Sequence, residues 1–198
     1  MFSKFLNLDK EKQDRIINSA MKEFAQNGYD KASTNEIVKE AGISKGLLFH
    51  YFQNKKQLYL FLYDHMVDIL MGKIMEKINW DEKDIFARYR QIALLKIEIY
   101  QIYPEMLSFA KSIYKDSSPA VKIDINRRGK ELFESSFNKL FSDIDLSKFK
   151  KGIEIKKAIH IINWKLEGFA YQYQEKALAL SLEQIDIEET MAEMEEYL

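Results

Sequence analysis

Apolar residues recur every three or four positions through long stretches of this 198-residue sequence, and few helix-breaking residues interrupt them. The chain contains two prolines and seven glycines, and a strand-like alternation of apolar and polar residues is hard to find. Spacings of three and four place apolar side chains along one face of an α-helix. The sequence therefore predicts an all-α protein.

Caps and breakers in the sequence set the expected helix boundaries. The first helix should run from Lys10 to Gln26 and stop at Asn27-Gly28. The second should begin at a capping box formed by Ser33 and Glu36 and end at Gly42. Further helices are predicted over Lys45–Phe52, Asn54–Lys77, Asp84–Tyr103, Pro104–Tyr114, Pro119–Phe141, Ile153–Ala179 and Leu182–Leu198.

The formal net charge of -1 conceals an asymmetry between the two parts of the chain. Residues 1–58 contain 10 Lys and Arg against 7 Asp and Glu, whereas the remainder contains 20 against 24. A modestly basic head thus precedes an acidic body, and a basic surface favours nucleic acid as a partner. Cysteine is absent, which excludes disulfides and thiolate metal sites, and no stretch has the length and apolarity of a membrane span. We expect a cytoplasmic protein with no membrane partner.

The window GISKGLLFHYFQNKKQL, residues 42–58, is typical of a surface that enters a DNA groove. Two short helices joined by Gly42-Ile43-Ser44 have the outline of a helix-turn-helix, whose second helix lies in the major groove. Leu48 and Phe52 can pack against the preceding helix. The side chains that we expect to face outward from this second helix belong to Lys45, Gly46, Leu47, Phe49, His50 and Tyr51.

Gly46 is unusual because glycine inside a helix costs about 1 kcal/mol relative to alanine. Close approach of a DNA backbone to the start of the recognition helix would explain it, since phosphates favour the free N–H groups there. A glycine required by helix–helix packing is the alternative.

The stretch that begins at Phe24, FAQNGYDKASTNEIVKEAGISKGLLFHYFQNKKQLY, resembles the DNA-binding head of the tetracycline-repressor (TetR) family of bacterial regulators. The resemblance covers under a fifth of the chain. It implies a DNA-binding domain over residues 1–54 and a regulatory and dimerisation domain over residues 55–198. It also implies phosphate contacts from Thr34, Tyr51 and Lys55, and a groove-facing surface formed by Lys45, Gly46, Leu47 and Phe49.

Ser44, which can cap the recognition helix, is included in the expected DNA-binding surface. His50 can donate to a phosphate or a base edge, or it can merely cover the helix. The chain departs from the family pattern at Phe49, where tyrosine is more common, and at apolar Leu47. Because apolar side chains contact thymine methyl groups, we predict an operator rich in A·T at those steps.

For the body, the resemblance implies a homodimer through the last two long helices and a cavity for a small apolar or aromatic effector. A ligand in such a cavity would tilt the fourth helix and change the separation of the two heads, which is how a repressor of this family leaves its operator. The candidate lining residues are Phe86, Tyr89, Tyr100, Met106, Phe109, His160, Trp164, Glu167 and Tyr171. Ordinary core packing is the alternative for each of them.

Two other classes of function remain as alternatives. A helical-bundle metalloenzyme would need a motif such as Glu-x-x-His or His-Glu-x-x-His, and neither occurs; His65 with Asp68 supplies two ligands only. We therefore predict no catalytic residue, no metal and no cofactor. A protein-binding adaptor would use the acidic C-terminal segment to recruit partners, and failure to bind DNA would favour it.

Overall fold

The computed structural model describes residues 2–115, 118–147 and 149–177 together with Glu189, Ala192 and Glu193, and only the backbone at 133, 137, 138, 167 and 169–177. Every regular element in these residues is a helix, which confirms the all-α prediction. The helices are α1 Ser3–Leu6, α2 Lys10–Lys31, α3 Thr34–Ala41, α4 Lys45–Phe52, α5 Lys55–Lys77, α6 Ile85–Ile102, α7 Pro104–Lys115, α8 Pro119–Leu140 and α9 Ile155–Ala177.

Most predicted boundaries agree with the structure to within two residues. The recognition helix α4 has the predicted bounds, and α7 and α8 begin at the two prolines, where a helix needs no N–H donor. The predicted end of α9 at Ala179 and the whole predicted helix Leu182–Leu198 lie outside the described residues.

The break predicted at Asn27-Gly28 is present, because Gly28 leaves the helical conformation, although one further helical turn beyond it carries α2 to Lys31. Gly28 has φ 67° and ψ 174°, a conformation that glycine adopts without a Cβ penalty. One further turn follows, and the Ala32 N–H closes it by donating to the Gly28 carbonyl at 3.1 Å. The glycine thus bends the chain without ending its helical course.

The chain divides into two compact units, residues 1–76 with 96–139 and residues 77–95 with 140–198. In the first unit, α2, α3 and α4 share a core in which Ile16, Ile37 and Leu48 are fully or almost fully buried. Helix α7 packs on α2 in the same unit, where the Phe109 ring lies 6.4 Å from Phe24. The border that we predicted after residue 54, between a DNA-binding domain and a regulatory domain, stays a prediction.

The second unit contains a fully buried arginine that nothing in the sequence singled out. Arg88 Nη1 donates to the Leu140 carbonyl at 2.8 Å and to Asp143 Oδ1 at 2.5 Å, and Nη2 donates to the Trp80 carbonyl at 3.3 Å. Lys83 Nζ also bonds to the Asp143 carboxylate, at 2.6 Å. These contacts tie the start of α6 to the loop after α8, a buried position that an arginine occupies only when it is paired.

Candidate nucleic-acid interface

The turn between α3 and α4 is built by a glycine and a serine cap. Gly42 adopts φ 66° and ψ 37°, and the N–H groups of Gly42 and Ile43 donate to the carbonyls of Lys39 and Val38, the Schellman arrangement. Ser44 Oγ then accepts the N–H of Leu47 at 3.2 Å and caps α4. The predicted helix-turn-helix is therefore present, with both of its caps.

Helix α4 divides into a packed face and an exposed face. Leu48 and Phe52 are fully buried, as the sequence predicted. Lys45, Gly46 and His50 are exposed, and Leu47 keeps 38% of its surface exposed. We predicted that Phe49 faces outward, but its side chain is half-buried. Lys45 Nζ lies 5.9 Å from the centroid of the Phe49 ring.

Gly46 faces open space at the start of α4. A Cβ placed on Gly46 would meet, among the described residues, one atom within 4 Å, the Ser44 hydroxyl oxygen at 3.9 Å. Its backbone conformation also lies outside the region that is reserved for glycine. Packing among the described residues therefore gives no reason for glycine at this position.

The expectation that Tyr51 faces outward is wrong. Only 8% of Tyr51 is exposed, because its ring packs 6.1 Å from Phe5 of α1 and 6.4 Å from Phe52. Helix α1 was not predicted, so the residue that covers this tyrosine could not be identified from the sequence. The phosphate contact assigned to Tyr51 stays a prediction, and it involves a ring that is held in place.

Thr34 and Lys55 lie at the starts of the two helices that flank α4 in sequence. Thr34 is half-buried in the first turn of α3, next to the cap Ser33. Ser33 Oγ accepts the Glu36 N–H at 3.4 Å as predicted, but the Ser33 N–H donates to Glu23 of α2 at 2.7 Å instead of to Glu36. The capping box is thus completed by a neighbouring helix.

The ammonium group of Lys55 is held near the end of α2. Its Nζ donates to the Asp30 carbonyl at 3.1 Å and lies 5.0 Å from the centre of the Tyr29 ring. Both contacts leave the side chain half-buried, with its charge next to the helix-turn-helix. Such a charge can bind a phosphate without a rearrangement of the backbone.

A strained joint connects α4 to α5. Gln53 has φ 65° and ψ -52°, an uncommon conformation for a residue with a side chain. The Asn54 N–H donates to the Phe52 carbonyl at 2.7 Å, which closes a three-residue γ-turn around Gln53. The Asn54 side chain then caps α5 by accepting the Gln57 N–H at 2.9 Å.

Residues 16–61, which include this whole surface, match the sequence profile of the bacterial regulatory proteins of the tetR family. The chain is therefore similar to the tetR family over this segment. It is 31% identical to the HTH-type transcriptional regulator YuxN of Bacillus subtilis over 127 residues, which are 64% of this chain and 42% of YuxN. The matched segment thus spans less than half the length of that relative.

Solved tetR-family structures have the same fold. A TetR family transcriptional regulator from Chloroflexus aurantiacus is 25% identical, with a TM-score of 0.61 over 96% of this chain and 85% of that one. FadR from Bacillus subtilis, solved in complex with stearoyl-CoA, is 16% identical, with a TM-score of 0.68 over 93% of this chain and 96% of FadR. The family consists of regulators of transcription and not of enzymes. No helix in the described part of the chain is long and apolar enough to cross a membrane.

The residues predicted to line an effector cavity are divided between the two units. Tyr100, Met106 and Phe109 belong to the first unit, and Met106 and Phe109 are buried there. Phe109 is fully enclosed, with its ring 5.2 Å from Tyr59, so it packs as core. Burial raises the pKa of the half-buried Tyr100 phenol, and the neighbouring Tyr114 raises it further.

The other predicted lining residues belong to the second unit. The Tyr89 ring is buried, 4.8 Å from Phe141. Phe86 is exposed, and the His160 ring lies 6.0 Å from that of Trp164. The side chains of Glu167 and Tyr171 lie outside the described residues. The assignment of these nine residues to one effector cavity therefore stays a prediction.

A cleft that the sequence did not indicate lies between α5 and α8 in the first unit. It has a volume of about 330 Å³, a size typical of small-ligand sites. Its lining combines apolar and polar side chains: Val67, Asp68, Met71, Gly72 and Met75 of α5, and Leu132, Ser135, Ser136 and Lys139 of α8. A Cβ on Gly72 would meet nothing within 4 Å among the side chains that the structure describes around this cleft.

Helix α9 carries large apolar side chains on its surface. Ile161 and Trp164, three positions apart, are 61% and 66% exposed, whereas Ile159 on the same helix is fully buried. Residues three apart share a helix face. Part of the apolar surface of α9 is therefore uncovered in this chain.

Proposed function

We propose that this chain is a tetR-family transcriptional repressor that binds a near-palindromic DNA operator as a homodimer and is released by a small apolar effector. The observation that carries the DNA-binding step is the start of α4. Lys45, Gly46 and Leu47 lie exposed there, directly after a serine cap, and the glycine has no internal partner for its missing side chain. Such a helix start can approach a DNA backbone closely and donate N–H groups to phosphates.

The proposed contacts fall into two classes with different consequences. Thr34, Tyr51 and Lys55 bind phosphates, and together they set the orientation of α4 on the duplex. Lys45, Leu47, Phe49 and His50 face base edges in the major groove. Gly46, on the same groove-facing surface, lets the start of α4 approach the DNA backbone closely. Ser44 contributes mainly through its cap. Leu47 and Phe49 offer apolar atoms, so the operator has A·T pairs at the steps that they contact.

The homodimer rests on the exposed face of α9. Ile161 and Trp164 present large apolar surfaces to solvent, and a symmetric partner that presents the same face can cover both pairs. Burying a tryptophan at the centre of an interface contributes strongly to association. A two-fold dimer places two α4 helices on half-sites about one helical turn, or a multiple of it, apart.

For the effector, we propose the cleft between α5 and α8 in place of the residues that the sequence had suggested. Methionine side chains adapt their shape to apolar ligands, and Met71 and Met75 line one wall. Lys139 offers a cation and Ser135 a hydroxyl for a polar end. FadR, which has the same fold, was solved with stearoyl-CoA, and only an acyl chain would suit a cleft of about 330 Å³, so a medium-chain fatty acid is the first compound to test.

The proposed mechanism couples this cleft to DNA through α5. The helix begins at Lys55, beside the head, and reaches the cleft at Val67. A ligand that separates α5 from α8 favours a different tilt of α5 and therefore a different separation of the two heads. Coupling of this kind typically changes affinity by 5- to 150-fold, about 1–3 kcal/mol.

The test is selection of genomic DNA fragments from the source organism by the purified protein at near-physiological salt, followed by sequencing. We expect a few enriched sites that share one palindrome. Retention of all fragments alike, with strong salt sensitivity, would contradict sequence-specific regulation and favour the adaptor alternative. A medium-chain fatty acid is then added to the complex, and the Gly72→Leu variant, which fills part of the cleft, is the control that should not respond.

A further inference from the structure

Helix α1 (Ser3–Leu6) is a small element outside residues 16–61, the part matched to the tetR family. Its fully buried Phe5 contacts one ring of α4 and one of α5, with ring centroids 4.8 Å away for Phe52 and 5.2 Å away for Phe61. Phe2, which precedes the helix, contacts the same two rings at 5.8 and 4.9 Å. We call these four residues, Phe2, Phe5, Phe52 and Phe61, the aromatic cluster.

The aromatic cluster spans the joint between the recognition helix and α5. Phe52 is the last residue of α4, Phe61 lies in α5, and the strained turn at Gln53 separates the two helices. Phe52 and Phe61 also contact each other directly, at 5.1 Å. The rings of Phe2 and Phe5 therefore contact both sides of the joint. A change in the angle between α4 and α5 must break some of these aromatic contacts.

The same element supports Tyr51. The Phe5 ring lies 6.1 Å from the Tyr51 ring at an angle of 60°. Tyr51 is one of the proposed phosphate contacts, and its ring is largely buried. Phe5 thus limits the directions in which the Tyr51 phenol can point.

Helix α1 is itself fastened to α2. Gln13 Nε2 donates to the carbonyls of Leu6 and Leu8, at 3.1 and 2.8 Å. Asp9 then caps α2 by accepting the Lys12 N–H at 2.8 Å. A four-residue helix has no stability of its own. The hydrogen bonds from Gln13 and the packing of the Phe2 and Phe5 rings therefore hold it in place.

We propose that α1 is a positioning element for DNA binding: Phe2 and Phe5 fix the angle between α4 and α5 and hold Tyr51 ready for a phosphate. This inference rests on the proposed DNA-binding function. Its physical basis is the fraction of protein molecules in which α4 and α5 have the angle that DNA binding requires. When a fraction f of molecules has the binding geometry, the observed dissociation constant rises by 1/f. If loosening the joint reduces that fraction to about one tenth, operator affinity falls about tenfold, or ~1.4 kcal/mol.

The experiment compares Phe2→Ala and Phe2→Tyr in the full chain. Dissociation constants are measured for an operator fragment found by genomic selection and for a scrambled duplex of equal length, at a temperature where each variant is folded. We expect Phe2→Ala to bind the operator five- to tenfold more weakly and the scrambled duplex almost unchanged. Phe2→Tyr, which keeps the ring, should remain within twofold of the unaltered protein. Phe5→Leu, which keeps an apolar side chain in the core, should behave as Phe2→Ala does.

Two controls separate positioning from general stability. Leu6→Ala alters the same helix at a side chain that is 58% exposed and should change neither affinity nor melting temperature. Ile74→Ala removes a buried side chain of α5 thirteen residues beyond Phe61, about 20 Å along the helix, and should lower the melting temperature alone. Unchanged operator affinity in Phe2→Ala, or an equal loss in Ile74→Ala, would overturn the inference. Failure of the unaltered protein to bind any operator would instead overturn the proposed function, and the inference with it.

Discussion

Replacing Gly46 with alanine should make the protein more stable and its DNA complex weaker. A Cβ at this position meets only the Ser44 hydroxyl, at 3.9 Å, so the folded protein accepts it without a clash. Alanine in a helix is favoured over glycine by about 0.5 to 1 kcal/mol. For a chain of this length, that gain raises the melting temperature by roughly 1 to 4 °C.

Binding to DNA should become weaker, because the added methyl group occupies the space that the phosphate backbone needs. If one hydrogen bond to a phosphate is lost, the cost is about 1.5 to 3 kcal/mol, or roughly a 10- to 150-fold weaker complex. Thermal unfolding and operator binding are measured on the same preparation. The matched control is Gly72→Ala on α5, where a Cβ also meets nothing within 4 Å. It should gain similar stability and bind the operator normally without effector.

A Gly46→Ala variant that binds the operator as tightly as the unaltered protein would refute the close approach of DNA. A variant that is less stable than the unaltered protein would show that the glycine serves packing within the chain. Either result would remove the main observation behind the assignment of α4.

Four further perturbations test separate parts of the account. Phe49→Ala should change the preferred operator sequence, whereas Lys55→Ala should weaken all DNA and lower the salt slope by about one; equal losses on operator and random DNA for both would contradict this division. The Asp143 carboxylate is bonded to Lys83 and Arg88, which lower its pKa from 3.8 to about 2, so its stabilising contribution is present above about pH 4 and lost as the pH falls toward 2. Chemical denaturation should therefore show a smaller loss of stability over that range in Asp143→Asn, and identical pH profiles would exclude the effect. Gln53→Gly should raise the free energy of unfolding by about 1 kcal/mol because glycine relieves the positive φ, and unchanged or lower stability in chemical denaturation would contradict this. Trp164→Asp should convert a dimer to monomers in sedimentation, and an unchanged mass would place the interface elsewhere.

Local signals in the sequence were sufficient to predict the helix-turn-helix. Ser44 and Gly42 act through neighbours three to five residues away, so the cap and the Schellman turn could be predicted from spacing alone. The same holds for the prolines that begin α7 and α8. The break predicted at Gly28 is present as a kink, but the further helical turn that follows it, up to Lys31, was not predicted.

Contacts between residues far apart in the sequence could not be predicted from local sequence patterns. Tyr51 is covered by Phe5, forty-six residues earlier, and Glu23 completes the cap of Ser33 from another helix. Arg88 is buried by partners as distant as Asp143, and an arginine in sequence gives no sign of burial. For the effector site, a stripe of aromatic residues has the same spacing whether it lines a cavity or fills a core. Phe109 illustrates the second case.

The central claim, that α4 reads base edges in an operator, is tested most directly by a ratio of dissociation constants. The protein is titrated with its selected operator and with a duplex in which the two half-sites are scrambled, at the same near-physiological salt. Our account predicts that the operator binds at least about 1,000-fold more tightly. A ratio near one would mean that the charge of the head binds DNA without reading it, and would contradict the account.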